Sequence, residues 1–361
     1  MDAAITQAAQ RTPLVETHRA AHAKLGEWFG CALPSDFGDW RAEYRFVREF
    51  VALLDKNYRA YLSFAGPDRV RYLNAILTND IKGLKIGEGV VSLFLNPQGR
   101  IQAEIETYAE ADKLFCASFA MIREKLIPAL DHYIIMDDVT LRDESTRFGT
   151  LALEGPHAAA VAKKIANTDL GSLQELGWRE SKIGSIPCHV VKRSPRGVPG
   201  VEFVCEQSHL PALWNLLLSA VKANGGGPAG YTALNALRLE AGSPWFGYDF
   251  GEKQIPHEAG LEKSHISYTK GCYTGQEIVE RVRSRGQVNR VRALFKLSSC
   301  DIPAAETLIQ FEGKEVGYIT RAAESPAFQS VIALGYVRRE QSALGTEVQI
   351  GNASASVISP R

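Results

Sequence analysis

The eight residues from 270 to 277 constrain the chain more than any other segment, because they combine helix-start signals with a single thiol. Thr274 followed three residues later by Glu277 predicts a capping box, in which each side chain binds a backbone N–H left unpaired at a helix start. Tyr273 and Ile278 stand at the positions of a hydrophobic staple across that cap. The sequence therefore predicts a helix that begins just after Thr274. The segment consists of Lys270, Gly271, Cys272, Tyr273, Thr274, Gly275, Gln276 and Glu277.

Cys272 lies two residues before the predicted cap, near the positive end of the helix dipole. The dipole and Lys270 both favour thiolate over thiol, as in cysteines that act as nucleophiles or metal ligands. The alternative is a buried, inert cysteine in a well-capped loop, because free cysteine is among the most buried residue types. The sequence leaves both interpretations of Cys272 open.

Length and charge limit the class of protein. A chain of 361 residues predicts two or three domains. Basic and acidic residues balance at 41 each. This balance excludes a surface that is basic overall and would bind nucleic acids or membranes through its net charge. No uninterrupted apolar run is long enough to span a bilayer, and the first residues lack the basic and apolar regions of a secretion signal. We therefore expect a cytoplasmic protein with neither a membrane nor a nucleic acid as partner.

Six cysteines are spread along the chain, with no close pair among them. This spacing argues against a zinc ribbon, a thioredoxin-type pair or a cluster cradle built from one chain. We expect six free thiols and no metal site. The cysteines are Cys31, Cys116, Cys188, Cys205, Cys272 and Cys300.

The pattern of residue types predicts an α+β chain that ends in a small β domain. The first fifty residues show helix-like stretches broken by Gly and Pro, with residues 1–10 as a lightly packed arm. Residues 89–95 and 100–108 form a predicted hairpin around the turn at 96–99, and its second strand carries Glu104 and Glu106 on one face. A solvated sheet surface is the simpler interpretation of that face. Beyond Arg292, short apolar runs alternate with Gly and Pro turns, which is typical of a barrel or sandwich.

Five arginines follow the cysteine segment within twelve residues of a chain whose net charge is zero. Guanidinium groups match carboxylates and phosphates bidentately, so this run is suited to a carboxylate-rich or phosphorylated ligand. Alternatively, these cations compensate a helix C-terminus and pair with Glu277 or Glu280. The five are Arg281, Arg283, Arg285, Arg290 and Arg292.

Segment 270–277 resembles, at all eight residues, the signature of the YgfZ family of folate-binding proteins, which includes an iron–sulfur assembly factor. That family is related to the glycine-cleavage T-protein, a tetrahydrofolate-dependent aminomethyltransferase. Further segments resemble the T-protein in the same order along the chain. They are residues 11–14 with His18, 77–80, 151–156, 237–242 and 256–261.

The resemblance implies an α+β fold in which three domains close into a ring around a folate-sized hole. One α+β domain would comprise residues 1–50 with 146–228. A second, folate-contacting α+β domain would comprise residues 51–145 with 229–290 and carry the cysteine segment. Residues 291–361 would form a small C-terminal β-barrel.

The resemblance also implies folate contacts. The T-protein's pterin-binding glutamate, in a Gly-x-Glu segment, corresponds to Glu202, whereas its folate-binding arginine corresponds to Leu234. Its paired aspartates, one of them needed for aminomethyl transfer, correspond to Ala103 and Glu104. Losing one acid and lengthening the other would disturb a proton relay that depends on geometry. The folate contacts expected in this chain are Asn79, Glu104, Glu202, Arg238, Arg281 and Arg283.

In function, the resemblance implies a protein that binds tetrahydrofolate or a derivative and assists assembly or repair of iron–sulfur clusters. Cys272 would be the working group, kept as thiolate by Lys270, and the partners would be iron–sulfur client or assembly proteins. The alternative is an enzyme, a tetrahydrofolate-dependent aminomethyltransferase or another one-carbon transferase. A third alternative is a regulatory scaffold whose folate site senses one-carbon status.

Overall fold

The computed structural model describes residues 9–167, 170–286 and 288–360, with the backbone alone at residues 196 and 285. These residues form two compact units. The first comprises residues 9–92 and 104–234, and the second comprises residues 93–103 and 235–360. Of the predicted amino-terminal arm, residues 1–8 lie outside the described residues. The boundaries of three domains stay a prediction.

The chain contains eight described helices, which alternate with strands through the first unit. They are α1 (Val15–Ala20), α2 (Trp40–Glu49), α3 (Arg69–Ile76), α4 (Arg123–Asp131), α5 (Ala158–Ala166), α6 (Leu210–Lys222), α7 (Tyr231–Glu240) and α8 (Gln276–Arg285).

Twenty strands are described along the same residues. They are β1 (Gln10–Arg11), β2 (Lys24–Trp28), β3 (Cys31–Asp36), β4 (Ala52–Asp55), β5 (Arg59–Ala65), β6 (Gly89–Leu95), β7 (Ile101–Ala109), β8 (Lys113–Phe119), β9 (Thr140–Asp143), β10 (Phe148–Glu154), β11 (Trp178–Ile183), β12 (Ile186–Lys192), β13 (Gly200–Glu206), β14 (Gly227–Pro228), β15 (Arg290–Leu297), β16 (Leu308–Phe311), β17 (Lys314–Ser325), β18 (Ser330–Arg338), β19 (Glu347–Ile350) and β20 (Ala353–Ile358).

A six-stranded sheet forms the core of the first unit, in the order β11-β12-β13-β10-β4-β14. Helix α6 packs on it through apolar side chains at the i, i+3, i+4 spacing of an amphipathic helix. Trp214 is the largest of these and is fully buried in the same cluster as Leu151 and Phe203 of the sheet. The buried side chains of α6 are Leu210, Leu213, Trp214, Leu217 and Val221.

A second sheet has the order β6-β7-β8-β5-β9, and β6 and β7 are the predicted hairpin. Its turn is closed by a bond of 2.9 Å from the Gly99 N–H to the Asn96 carbonyl, and Gly99 supplies the positive φ of 71° that the turn requires. From Ile105 onwards both faces of β7 are buried. The interpretation of a solvated face is therefore wrong for Glu106, which is only 6% exposed.

The sequence did not reveal the small sheet β1-β3-β2 within the first fifty residues. Strands β2 and β3 meet in a tight hairpin whose two turn residues, Phe29 and Gly30, both have positive φ values of 54° and 72°. Two-residue hairpin turns of this kind are usually signalled by Asn-Gly or Asp-Gly. Here the first turn position is a phenylalanine, so the sequence lacks that signal.

The second unit contains a closed barrel in the order β15-β18-β17-β16-β19-β20. Its interior is filled by alternate strand residues, among them the fully buried Phe295, Ile309, Ile319 and Val337. The prediction of a β-barrel after Arg292 is confirmed, with the first strand beginning two residues earlier. The α+β fold class is confirmed with it.

Candidate functional site

The cysteine segment leads into helix α8, but the cap differs from the predicted one. The helix begins at Gln276, and the N-cap is Gly275, which has no side chain and a φ of 81°. The capping box of Thr274 and Glu277 is therefore wrong, because Thr274 does not occupy the cap position. Instead, Gln276 closes the turn on itself: its Oε1 accepts from the Tyr273 N–H at 3.3 Å, and its own N–H donates to the Tyr273 carbonyl at 3.2 Å. With the cap shifted by one residue, Tyr273 and Ile278 no longer stand at staple positions.

Gly275 is required by a close backbone approach. A Cβ at Gly275 would lie 2.6 Å from the Asn96 carbonyl oxygen, and a Cβ at Gly99 would lie 2.8 Å from the Cβ of Ile278. The turn of the β6–β7 hairpin thus rests directly on the start of α8. Gly271 differs, because a Cβ there would meet nothing within 4 Å.

Replacing Gly275 by alanine is expected to lower the free energy of unfolding by about 1–2 kcal/mol or more, since it adds strain at positive φ to a backbone clash. Gly271→Ala is the matched control and is expected to change it by less than about 0.5 kcal/mol. Urea denaturation of both variants measures the difference. Equal stabilities would show that the hairpin turn does not rest on Gly275.

Cys272 is exposed, so the interpretation of a buried cysteine is wrong. The ammonium of Lys270 lies 5.1 Å from the ring centroid of Tyr273, a cation–π contact between the two residues that flank Gly271 and Cys272 in the sequence. Tyr273 is 7% exposed, and its buried hydroxyl has no hydrogen-bond partner, while burial raises the pKa of its phenol. The thiol is therefore accessible to solvent, and its activation as a thiolate stays a prediction.

The arginine run is divided between helix α8 and strand β15. Arg281 is exposed, and Arg283 stacks 4.1 Å from the ring centroid of Tyr268 with Glu280 at 3.6 Å. That ion pair agrees with the interpretation in which these cations pair with glutamates of their own helix. Arg290 and Arg292 lie on strand β15. The side chain of Arg285 lies outside the described residues.

Arg238, an expected folate contact, is fully buried in the second unit. Its Nη1 donates to a carboxylate oxygen of Asp249, and its Nε donates to Asn235 at 3.0 Å. The guanidinium also lies 4.8 Å from the ring centroid of Trp245. Most of its hydrogen-bonding capacity is therefore used within the protein.

Glu202, the expected pterin ligand, lies in a buried ion cluster of the first unit and is 1% exposed. Lys56 Nζ donates to its Oε1 at 2.9 Å, and Arg59 Nη2 donates to the same oxygen at 3.1 Å. Its Oε2 lies 2.9 Å from Arg59 Nη1, close enough for an ion pair but without the alignment of a hydrogen bond. Protein cations thus hold one oxygen firmly and leave the other without a hydrogen bond.

The rest of this ion cluster balances its charge. Arg59 also pairs with Glu106 at 3.0 Å, and Arg193 donates to Glu106 at the same distance. Lys56 lies 2.8 Å from Glu154. The cluster contains three cations and three carboxylates: Lys56, Arg59, Arg193, Glu106, Glu154 and Glu202.

Opposite charges in the ion cluster stabilise the ionised forms of their partners. Burial opposes ionisation of Glu202, but Arg59 and Lys56 outweigh it and lower the pKa of this carboxyl. Burial likewise works against Arg59, yet Glu106 and Glu202 raise the pKa of its guanidinium well above the ordinary value. Arg59 and Arg193 lower the pKa of Glu106 in the same way, so the Glu106 and Glu202 carboxyls are both ionised at neutral pH.

Sequence reasoning found Glu202 but missed its cationic partners. The available signal was a glutamate in an otherwise apolar strand: Glu202 interrupts Val201 and Phe203, and Glu154 ends the apolar run of β10. A carboxylate at such a position needs a buried partner. Nothing in the spacing of Lys56 and Arg59 identifies them as those partners.

The position of the T-protein's paired aspartates keeps one accessible carboxylate. Ala103 is fully buried, whereas Glu104 points to the opposite face of β7 and is partly exposed. The Glu104 carbonyl accepts from Ser118 Oγ at 2.8 Å, which fixes the strand at this point. Asn79, another expected contact, donates to the Val91 carbonyl at 2.9 Å in the same unit.

Within residues 9–167, 170–286 and 288–360, no group of three or more His, Cys, Asp or Glu side chains is arranged to hold a metal ion. Over the same part of the chain, no helix has the length and apolar character needed to cross a membrane.

Comparison with known proteins decides the family. Residues 14–266 match the GCVT N-terminal domain, and residues 290–358 match the glycine cleavage T-protein C-terminal barrel domain. The chain belongs to the glycine cleavage T-protein family. The T-protein side of the resemblance is confirmed at this level, and the narrower YgfZ assignment stays a prediction.

Relatives of this T-protein-family chain match it over nearly their whole length. The aminomethyltransferase of Rubrobacter xylanophilus is 29% identical over 342 residues, covering 94% of this chain and 90% of the relative. That of Moorella thermoacetica is 28% identical over 343 residues, covering 94% and 93%. The crystal structure of glycine cleavage system aminomethyltransferase T from Bartonella henselae has the same fold, with a TM-score of 0.87 at 23% identity and 97% coverage of both chains.

Proposed function

We propose that this protein is a tetrahydrofolate-dependent one-carbon transferase of the T-protein type. The observation that carries the proposal is the match to aminomethyltransferases over 94% of the chain, with both the N-terminal and the barrel domains represented. The substrate side would be a reduced folate, and the group transferred would be a one-carbon unit such as the aminomethyl group of a lipoyl carrier.

Glu202 is proposed as the residue that recognises the pterin ring. An ionised carboxylate accepts hydrogen bonds from the ring's amide N–H and amino group in a fork. Lys56 and Arg59 hold Oε1 and keep the carboxyl charged, while Oε2 has no hydrogen bond. A carboxylate oxygen has two lone pairs, and those of Oε1 are already used by these two donors, so Oε2 would accept from the donors of the pterin. The cations would thus orient Glu202 for the ligand.

Glu104 is proposed as the group that moves a proton during transfer. It is the one acid at the place where the T-protein carries two, because the other position is Ala103, which is buried on the opposite face of β7. A carboxylate on a strand fixed by the bond from Ser118 would keep a defined position relative to the substrate. Tetrahydrofolate supplies the nitrogen that receives the one-carbon unit.

Calorimetry with tetrahydrofolate and 5-formyltetrahydrofolate tests the folate premise. We expect the wild type to bind and Glu202→Gln to lose about tenfold to a hundredfold in affinity, because a hydrogen bond to a charged group is removed. Glu154→Gln is the matched control, since it removes the same charge from the same ion cluster and from the same partner, Lys56. No binding by the wild type, or equal losses in both variants, would contradict the proposal.

A second candidate function is favoured by the exposure of Cys272. Here the protein would be a YgfZ-like assembly factor that binds folate and uses this thiol on iron–sulfur client proteins. A single thiol does not hold a cluster alone, so the role requires ligands from a partner. Cys272→Ala is then expected to keep folate affinity and lose rescue of iron–sulfur enzyme activity in a deletion strain. Cys300→Ala, at the other exposed cysteine, is the control, and full rescue by Cys272→Ala would remove this candidate.

A further inference from the structure

A group of three arginines lies beside a single ion-paired carboxylate in the second unit. Arg238 comes from α7, Arg292 from β15 and Arg321 from β17. Asp249 is the carboxylate, and Tyr336 of β18 stands opposite Arg292 in the barrel wall. These five residues are called the arginine cluster below.

Both carboxylate oxygens of Asp249 accept hydrogen bonds from groups of the protein. Its Oδ2 accepts from Arg238 Nη1 and from the Trp245 N–H at 2.8 Å. Its Oδ1 accepts from Thr320 Oγ1 at 2.5 Å. Arg238 is the guanidinium that pairs directly with Asp249. The charges of Glu262 and Glu258 also reach the arginine cluster, at Arg292 and at Tyr336 respectively.

Four buried donors of the arginine cluster have no hydrogen-bond partner. They are Arg238 Nη2, Arg292 Nη1, Arg321 Nε and the Tyr336 hydroxyl. Arg238 is fully buried and Tyr336 is 2% exposed, so neither side chain reaches bulk water. A buried donor without a partner costs about 1–3 kcal/mol, more for a charged group. Four of them, on residues close enough to act on one another electrostatically, indicate a ligand with several acceptors.

Aromatic rings fix two of the guanidinium planes. Trp245 lies under Arg238 at 4.8 Å and Tyr248 under Arg321 at 4.2 Å, measured to the ring centroids. Stacking leaves the N–H groups at the edge of each plane directed outwards. A planar fork of this kind matches the oxygens of a carboxylate or phosphate.

The surroundings of Arg238 and Arg292 disfavour their charged forms. Burial lowers the pKa of Arg238, and the nearby Arg321 and Arg292 add to this effect against the pull of Asp249. Burial also lowers the pKa of Arg292, despite Tyr336, Asp249 and Glu262. A bound anion would reverse both effects.

We propose that the arginine cluster is a binding site for a small oxyanion, held by the free edges of three guanidinium groups and by the Tyr336 hydroxyl. Arg292 and Arg321 are partly exposed, which gives the anion a route in. The chemistry is shared by inorganic phosphate and by the carboxylate arm of a larger ligand. This site is independent of the proposed transferase activity.

The test is thermal unfolding and calorimetry with inorganic phosphate in one arm and glutarate in the other, at ionic strength held constant with sodium chloride. We expect saturable binding in at least one arm, with a rise in melting temperature of about 3 °C or more near saturation. The arm that saturates identifies the source of the anion: phosphate for a free inorganic ion, and glutarate for a carboxylate arm.

Tyr336→Phe is the decisive variant, because it removes one unpartnered hydroxyl and keeps the ring. We expect it to fold and to bind the probe about tenfold to a hundredfold more weakly. Tyr318→Phe is the control, since the Tyr318 hydroxyl already accepts from Gln254 at 3.1 Å, and it is expected to bind normally. Arg321→Gln, at a partly exposed position, should show the same loss as Tyr336→Phe. Absence of saturable binding in both arms, an equal gain from sodium chloride alone, or full binding by Tyr336→Phe and Arg321→Gln would overturn the proposal.

Discussion

Arg59→Met is expected to lower the free energy of unfolding by about 3–5 kcal/mol, the usual cost of removing one partner from a buried ion pair. Arg59 contacts both Glu106 and Glu202, and neither carboxylate is more than 7% exposed in its side chain. Without the guanidinium, two like charges remain buried with only Lys56 and Arg193 to balance them. Urea denaturation followed by fluorescence measures the loss.

The control for this prediction is Arg147→Met in the same unit. Arg147 pairs with Glu206 at 3.1 Å, but both side chains are about half exposed, at 55% and 48%. Exposed pairs contribute about 0–1 kcal/mol, so this variant is expected to unfold almost like the wild type. If the two variants lost equal stability, the ion cluster around Glu202 would not be the buried, mutually dependent group described above.

Glu104→Gln is expected to reduce one-carbon transfer about a hundredfold to ten-thousandfold, the range associated with loss of a general acid or base. The amide keeps the size and the hydrogen-bonding character of the side chain but exchanges no proton at neutral pH. Binding of tetrahydrofolate should be nearly unchanged, because the proposed pterin contact is Glu202. Rates are measured with a labelled methylamine-loaded lipoyl carrier and calorimetry gives the affinity.

Gln102→Glu is the control for Glu104, since Gln102 lies two residues away on the same face of β7. A new carboxylate there should not rescue transfer in the Glu104→Gln background, because a proton relay depends on position. Transfer by Glu104→Gln at the wild-type rate would assign the proton transfer to a different group.

The sequence predicted elements whose signals are local. The β6–β7 hairpin follows from its Asn-Pro-Gln-Gly turn, and the barrel follows from short apolar runs separated by turns. The hairpin of β2 and β3 was missed because Phe29 adopts a positive φ that only the folded chain stabilises. The predicted start of α8 is one residue too early, since the close approach of Asn96 requires glycine at the residue after Thr274, and this Gly275 is the cap.

For the candidate site too, the sequence predicted local features but not the contacts that tertiary folding creates. Exposure of Cys272 agrees with the functional interpretation of its segment, which the sequence could state but not separate from the buried alternative. The ion cluster brings together side chains from four different strands or loops: Lys56, Arg59, Glu106 and Glu202. Their spacing in the sequence does not predict that they are in contact. Arg238 was expected to contact folate, but tertiary packing commits it mainly to Asp249.

Transfer of label from a methylamine-loaded lipoyl carrier to tetrahydrofolate, catalysed by the purified wild-type protein, tests the proposed function most directly. The proposal predicts saturable transfer that requires both carrier and tetrahydrofolate and falls about a hundredfold or more with Glu104→Gln. Tight binding of tetrahydrofolate without transfer above the protein-free rate would contradict it and leave the cysteine-dependent assembly function as the better account.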